Sequence, residues 1–181
     1  MKNIVYNKEL KETIHFRKTS VETSGLYSEL EISLAPRGGN PLHYHGTYSE
    51  LFTAVEGRLG IELQGGKEIL LQPGESYLVK KGEIHRFFNP DQQPITFTNR
   101  VEPGSTGLEN TLRILCGLAG DGLYSKSNIP RNPLHLAVCG KMSDMRLPGW
   151  TGKMTGPFIN LLSWVAVKNG VKQKLVDKYC V

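Results

Sequence analysis

At 181 residues the chain fits one domain with or without an appendage, and its 20 glycines and 10 prolines suit a turn-rich protein of short strands. The formal charge of +5 is uneven: residues 1–145 balance acid against base, so the whole excess falls in residues 146–181. No stretch reaches the roughly 18 apolar residues that span a bilayer, residues 1–16 lack the apolar run and small-residue cleavage site of a secretory leader, and Cys116, Cys139 and Cys180 form no C-x-x-C pair. Free thiols in a reducing compartment follow, with the cytoplasm as the expected location.

In chain order, residues 12–18 and 26–34 are expected strands, the second setting Leu26, Leu30, Ile32 and Leu34 against Ser28, Glu29, Glu31 and Ser33 over most of its length. The turn cluster 36–41 delivers the chain to His43-Tyr44-His45, and a strand over 51–55 carries Glu50 at its start. Gly57 permits a reversal. Residues 59–63 and 69–71 flank Gly65-Gly66 as a hairpin, and Pro73-Gly74 turns the chain into residues 77–79. A polar turn over 80–83, including the solvated Lys80-Lys81, precedes strands at 85–88 and 95–101. Many short strands at near-regular spacing predict an all-β, double-sheet jelly roll. After Pro103-Gly104, Ser105 caps a helix running through Leu118 to Gly120, Pro133 opens a helix over 134–142, Gly156-Pro157 opens an apolar one over 158–167, and Gly170 precedes a short Lys-rich segment. The expected organisation is a β-barrel over residues 1–104 and a C-terminal α-helical extension over residues 105–181, packed on the barrel or on a dimer partner.

Chemistry concentrates in residues 43–89. Successive side chains of a strand point to opposite faces, so His43 and His45 emerge on one face with Tyr44 turned away. Glu50 follows after a short connection and adds an anionic oxygen, and His85 supplies a fourth donor from a distant strand. Three imidazoles and a carboxylate suit a divalent first-row metal (Fe, Mn, Ni or Zn). In six-fold coordination two positions stay open for water or substrate, the mark of a catalytic rather than a structural site. If strand parity holds, Phe52 and Phe87 line the interior beside the metal. Asn89 reads as a strand-end residue, His15 and His135 carry no assigned chemistry, and Tyr44, Tyr48, Arg86 and Arg100 read as surface residues.

Residues 25–103 resemble the cupins. The first motif of that family, a Gly, a His-x-His pair, a Glu and a further Gly, is matched by Gly38 or Gly39, His43, His45, Glu50 and Gly57. The second is matched by Gly74, Gly82, His85 and Asn89, with Lys80 where the family usually has Pro. The resemblance implies a cupin double-stranded β-helix barrel and a homodimer.

Hydrolase triad spacing, a phosphate-binding loop and zinc-finger spacing are absent from the sequence, and the basic tail lacks the interleaved aromatics of a nucleic-acid surface. Lys168, Lys172, Lys174 and Lys178 follow the apolar 158–167 helix, a composition compatible with a membrane surface. The expectation is instead that Phe158, Leu161, Leu162, Trp164 and Val165 dock on the barrel or a sister subunit. Three functions fit: a metal-dependent enzyme acting on a small molecule, dioxygenase-like first and isomerase- or lyase-like second; a binder or sensor of a small ligand; or an interaction protein with a structural metal.

Overall fold

The structure, a computed structural model, describes residues 3–180. Ten strands precede the helices: β1 (Ile4–Asn7), β2 (Glu12–Lys18), β3 (Ser28–Leu34), β4 (Tyr44–His45), β5 (Ser49–Glu56), β6 (Leu59–Leu63), β7 (Lys67–Leu71), β8 (Ser76–Val79), β9 (His85–Phe88) and β10 (Ile95–Glu102). Nine of them form a six-stranded antiparallel sheet in the order β1-β2-β3-β10-β5-β8 and a three-stranded one in the order β7-β6-β9, while β4 pairs with residues 145–146 further along the chain.

Alternation builds these sheets. In β3 the side chains of Ser28, Leu30, Ile32 and Leu34 are buried while Glu29, Glu31 and Ser33 lie on the more open face. The strand starts at Ser28 rather than residue 26. Residues 20–25 close a turn in which the Gly25 N–H donates to Ser20 O at 2.7 Å, and this leaves Leu26 exposed. The inward position goes to Ser28, whose hydroxyl donates to Glu109 Oε1 at 2.6 Å. Strand β1 has no counterpart in the sequence reading, because Ile4 and Tyr6 face outward and leave only a weak alternation.

The two sheets share one core. Ile14, Phe52 and Phe97 enter it from the larger sheet and Leu59 and Ile61 from the smaller, all at most 1% exposed. Burial of each such side chain contributes about 1.5–3 kcal/mol. At the β5–β6 reversal Gly57 has φ +72°, and a Cβ there would lie 2.5 Å from the Ile95 side chain, so glycine is required.

Helices α1 (Thr106–Gly120), α2 (Pro133–Met142), α3 (Gly149–Lys168) and α4 (Val171–Tyr179) follow, with a short strand β11 (Met145–Arg146) between α2 and α3. Ser105 caps α1 by accepting from Leu108 N, and Asn132 caps α2 by accepting from Leu134 N. Along α1, Cys116 turns toward the sheet core, whereas Ile114 and Leu118 join a second core with Val138, Ala166 and Leu175. The helical extension is therefore packed on the sheets through α1.

Helix α3 departs from expectation twice. It begins at Gly149, so Pro157 sits inside it rather than opening it. The added turns lie close against the preceding chain: a Cβ on Gly152 would meet Leu147 O at 1.8 Å. The apolar side chains also do not dock on the sheets. Helix α3 packs on α2 and α4 through Ser163 and Ala166, while Phe158, Leu161 and Trp164 point outward, each more than half exposed. Leu162 and Val165 are partly buried.

Candidate metal centre

His43 and His85 face each other as an antiparallel bridge, exchanging both backbone hydrogen bonds at 2.8 and 2.9 Å. That pairing brings their rings to a centroid distance of 4.4 Å. His45 lies on the same face two residues on, with Tyr44 turned away. Its carbonyl accepts from Gly82 N at 2.8 Å, a turn residue at φ +83° that leads the chain back toward His85. Glu50 arrives from the six-stranded sheet, with Oε2 3.0 Å from His85 Nε2 and 3.4 Å from His45 Nε2.

Each of the four residues offers one ligand atom, these atoms lie within 4.8 Å of one another, and all four side chains are buried. The structure thus brings together the whole set read from the sequence.

Hydrogen bonds fix which ring nitrogen faces inward. His43 Nδ1 lies 2.8 Å from Pro41 O and His85 Nδ1 3.0 Å from Glu83 O. Carbonyls only accept, so both Nδ1 atoms carry the proton and both Nε2 lone pairs point at the centre. His45 Nδ1 lies 2.8 Å from the Tyr48 hydroxyl, which itself donates to Ser143 O at 2.7 Å. The hydroxyl proton is committed to Ser143, so His45 Nδ1–H donates to Tyr48 and its Nε2 is free as well.

Glu50 Oε1 accepts from Asn99 Nδ2 at 2.7 Å. Glu50 Oε2 and His85 Nε2 are close but not aligned for a hydrogen bond, and both are buried without one. Orphaned buried polar atoms are costly. A cation among the four donors satisfies them, so the residues fit a divalent metal.

The charges agree. Burial would raise the Glu50 carboxyl, but the His85 and His45 imidazoles and the Asn99 amide overcome it and hold the pKa at about 2. Burial, with the neighbouring His85 and His45, pushes His43 down to about 4. Burial also lowers His45. For His85 burial is outweighed by Glu50, and the pKa is raised.

Phe52 shares the Glu50 face and sits 6.0 Å from the His85 ring, with Phe87 5.9 Å beyond it, so the parity argument holds for both. Phe97, not foreseen, closes the same aromatic cluster 5.1 Å from Phe87. Asn89 is buried at the strand end and donates to Leu34, Ala35 and Gln93 carbonyls, a structural role. Lys80, in the place of the motif proline, donates its backbone N–H to Glu83 at 2.9 Å, a bond proline could not make.

Tyr48 corrects the surface reading: it is buried and holds His45. Arg86 pairs with Glu62 and Arg100 with Glu102, both away from the centre. Tyr44 lines a 350 Å³ cavity behind β4, between β11 and α3, whose walls contain none of the four ligands. Asn99 and Ser143 also went unread. Asn99 carried a signal, because it occupies the inward phase of β10 with Ile95, Phe97 and Val101. Ser143 acts through its backbone carbonyl and carried none.

Residues 30–99 match the family model described as a cupin domain. This stretch is a cupin domain. All four ligands lie inside it. The chain is similar to Germin-like protein 3-8 of Oryza sativa subsp. japonica, 36% identical over 88 residues that cover 45% of this chain and 39% of that protein. It is also similar to a probable germin-like protein, subfamily 2 member 5, of Arabidopsis thaliana, 32% identical over 111 residues, 59% of this chain and 52% of that one. The chain thus spans about half the length, or less, of these curated relatives. Among solved structures, the polyketide cyclase RemF from Streptomyces resistomycificus superposes with a TM-score of 0.46 at 23% identity, over 55% of this chain and 67% of that one. A sugar phosphate isomerase of the cupin superfamily from Silicibacter pomeroyi gives 0.46 at 22% identity, over 53% and 62%.

Proposed function

We propose that this cupin is a metal-dependent enzyme in which His43, His45, Glu50 and His85 hold a divalent transition metal and an apolar small molecule reacts beside it, with dioxygenase-like chemistry first and isomerase- or lyase-like chemistry second. The observation that carries the reading is the common orientation of the site: three imidazoles tied through Nδ1 and a carboxylate tied through Oε1, all presenting a free donor atom to one point. A bound metal supplies Lewis acidity or, as iron, redox chemistry toward dioxygen. The residues supply the rest. Glu50 stays anionic, His43 and His45 stay neutral at physiological pH, and Phe52, Phe87 and Phe97 make one wall apolar, which favours an aromatic or aliphatic substrate over a phosphorylated one.

The test is metal content by mass spectrometry on untagged protein beside the His85→Ala variant, followed by oxygen uptake with phenolic and carbonyl compounds. Near-stoichiometric iron, lost in the variant, with oxygen uptake that disappears in His43→Ala, is the expected result. Zinc, nickel or manganese with no uptake moves the assignment to Lewis-acid chemistry.

A second reading, a small-ligand binder or sensor with a structural metal, is favoured by the burial of all four ligands, each no more than 5% exposed. Addition of azide or nitric oxide to the metal-loaded protein separates the two: an unchanged metal spectrum supports the closed site. We also propose that the strands close into a jelly-roll barrel and that the protein works in the cytoplasm as a homodimer. The three free, buried cysteines support a reducing compartment, and Val55 and Leu78, exposed on the outer face of the larger sheet, offer a pairing surface. Light scattering at micromolar concentration reads the dimer directly.

A further inference from the structure

Helix α3 is amphipathic in the reverse of the usual sense. Its inner face packs on α2 and α4 through the small, buried Ser163 and Ala166, with Leu162 and Val165 partly buried beside them. Its outer face carries Trp150, Met154, Phe158, Leu161, Trp164 and Val167, each at least 53% exposed. Steps of three and four residues place these side chains along one stripe. A face of that size and composition marks an interaction surface.

Charge identifies the occupant. Helix α3 contains no Asp or Glu, and Lys153 and Lys168 stand near its two ends, Lys168 with its ammonium 5.9 Å from the Trp164 ring. Helix α4 adds Lys172 and Lys174 on exposed positions. None of these four lysines has a carboxylate partner among the described residues, whereas Lys178 is paired with Asp121. A second copy of α3 laid on the first would bring lysines with no acid in either helix to neutralise them. An anionic bilayer surface offers acyl chains to the stripe and phosphate or carboxylate headgroups to the lysines of α3 and of the adjoining α4. Tryptophan and lysine both suit that boundary, each with an apolar body and a polar tip. No helix among the described residues is long and apolar enough to cross a membrane, so contact is with the surface.

We propose that the outward face of α3 seats the protein on an anionic lipid bilayer, with the α3 side chains in the headgroup layer and Lys153, Lys168, Lys172 and Lys174 against the headgroups. The inference stands apart from the metal chemistry and survives whether or not the cupin site turns over a substrate.

The chain is built to report on this itself, because its two tryptophans are both on the proposed contact face. The experiment mixes the whole 181-residue chain, metal-loaded, with vesicles of phosphatidylcholine alone or with phosphatidylserine added, reading tryptophan emission and co-sedimentation. A blue shift and sedimentation with the phosphatidylserine vesicles, weakened by salt, are expected. Each lysine near an anionic surface is worth about five-fold in partitioning, so K153E/K168E should lower binding by at least ~25-fold with the same circular dichroism and metal content. F158S/L161S should abolish the blue shift. Absence of binding, or equal binding to both vesicle types unaffected by K153E/K168E, overturns the proposal. A fall in light-scattering mass on F158S/L161S without vesicles also overturns it, by making the face a contact between copies.

Discussion

Asn99 steers Glu50. Its side-chain amide, on the neighbouring strand β10, donates to Oε1 at 2.7 Å and leaves Oε2 as the oxygen that faces the imidazoles. Removing such a partner usually lowers metal affinity by about 10–100-fold without touching a ligand. Asn99→Ala should fall in that range in a chelator competition assay. Asn99→Asp should cost more, because it sets a second carboxylate against Oε1.

Tyr48 does the same for His45, through a hydroxyl that links the ring to Ser143 O. In Tyr48→Phe the carbonyl keeps His45 Nδ1 as a 3.1 Å partner, so the loss is partial. The expected outcome is a metal affinity down by about ten-fold and an unfolding free energy lower by about 1 kcal/mol, measured by metal titration and by urea denaturation of the metal-free protein.

Metal uptake should release a proton. Histidine ligates only when neutral. His43 and His45 are already so near neutrality, but Glu50 holds the His85 pKa above its ordinary 6.5. Below the His85 pKa, apparent affinity should fall about tenfold per pH unit, and above it affinity should level off. Toward pH 4 the protonation of His43 should steepen the fall. Calorimetric titration in two buffers of different ionisation enthalpy counts the released proton, and release of none near pH 6.5 would contradict the assignment.

Much of this was legible in the sequence because strand physics has a period of two. The His43-x-His45 pair, the inward run of β3 and the β6–β7 hairpin around Gly65-Gly66 all follow from alternation and turn chemistry. Tyr48 was legible too, standing two residues before Glu50 and so on its face, although a tyrosine near a turn reads as surface. The hold of Ser143 on His45 was not legible: a backbone carbonyl has no residue signature, and 98 positions separate the two. Helix α3 shows the complementary limit. Its apolar content was plain, but which face is covered is set by α2 and α4 packing over Ser163 and Ala166, a tertiary fact.

Glu12, partly buried at the start of β2, has its carboxyl pushed up to about 7 by burial. With a folded pKa above the unfolded value near 4.5, the folded chain binds more protons between those values, and stability falls as pH rises through that window. Above pH 7 the full cost is present. Glu12→Gln removes it and should stabilise the protein at pH 8 by about 1–3 kcal/mol while changing little at pH 4, read from urea midpoints at the two pH values.

The carbonyl of Ser143 and the carboxylate of Asp144, which takes the Gly46 N–H at 2.7 Å, both reach the ligand strand from beyond the last long strand. The helices are thus not interchangeable cargo behind a self-sufficient cupin. A chimera joining residues 1–104 to a foreign tail would inherit all four ligands and lose the group that sets the tautomer of one of them. In this chain the unit that recombination can move intact runs at least to Asp144, well past the end of the cupin domain at residue 99.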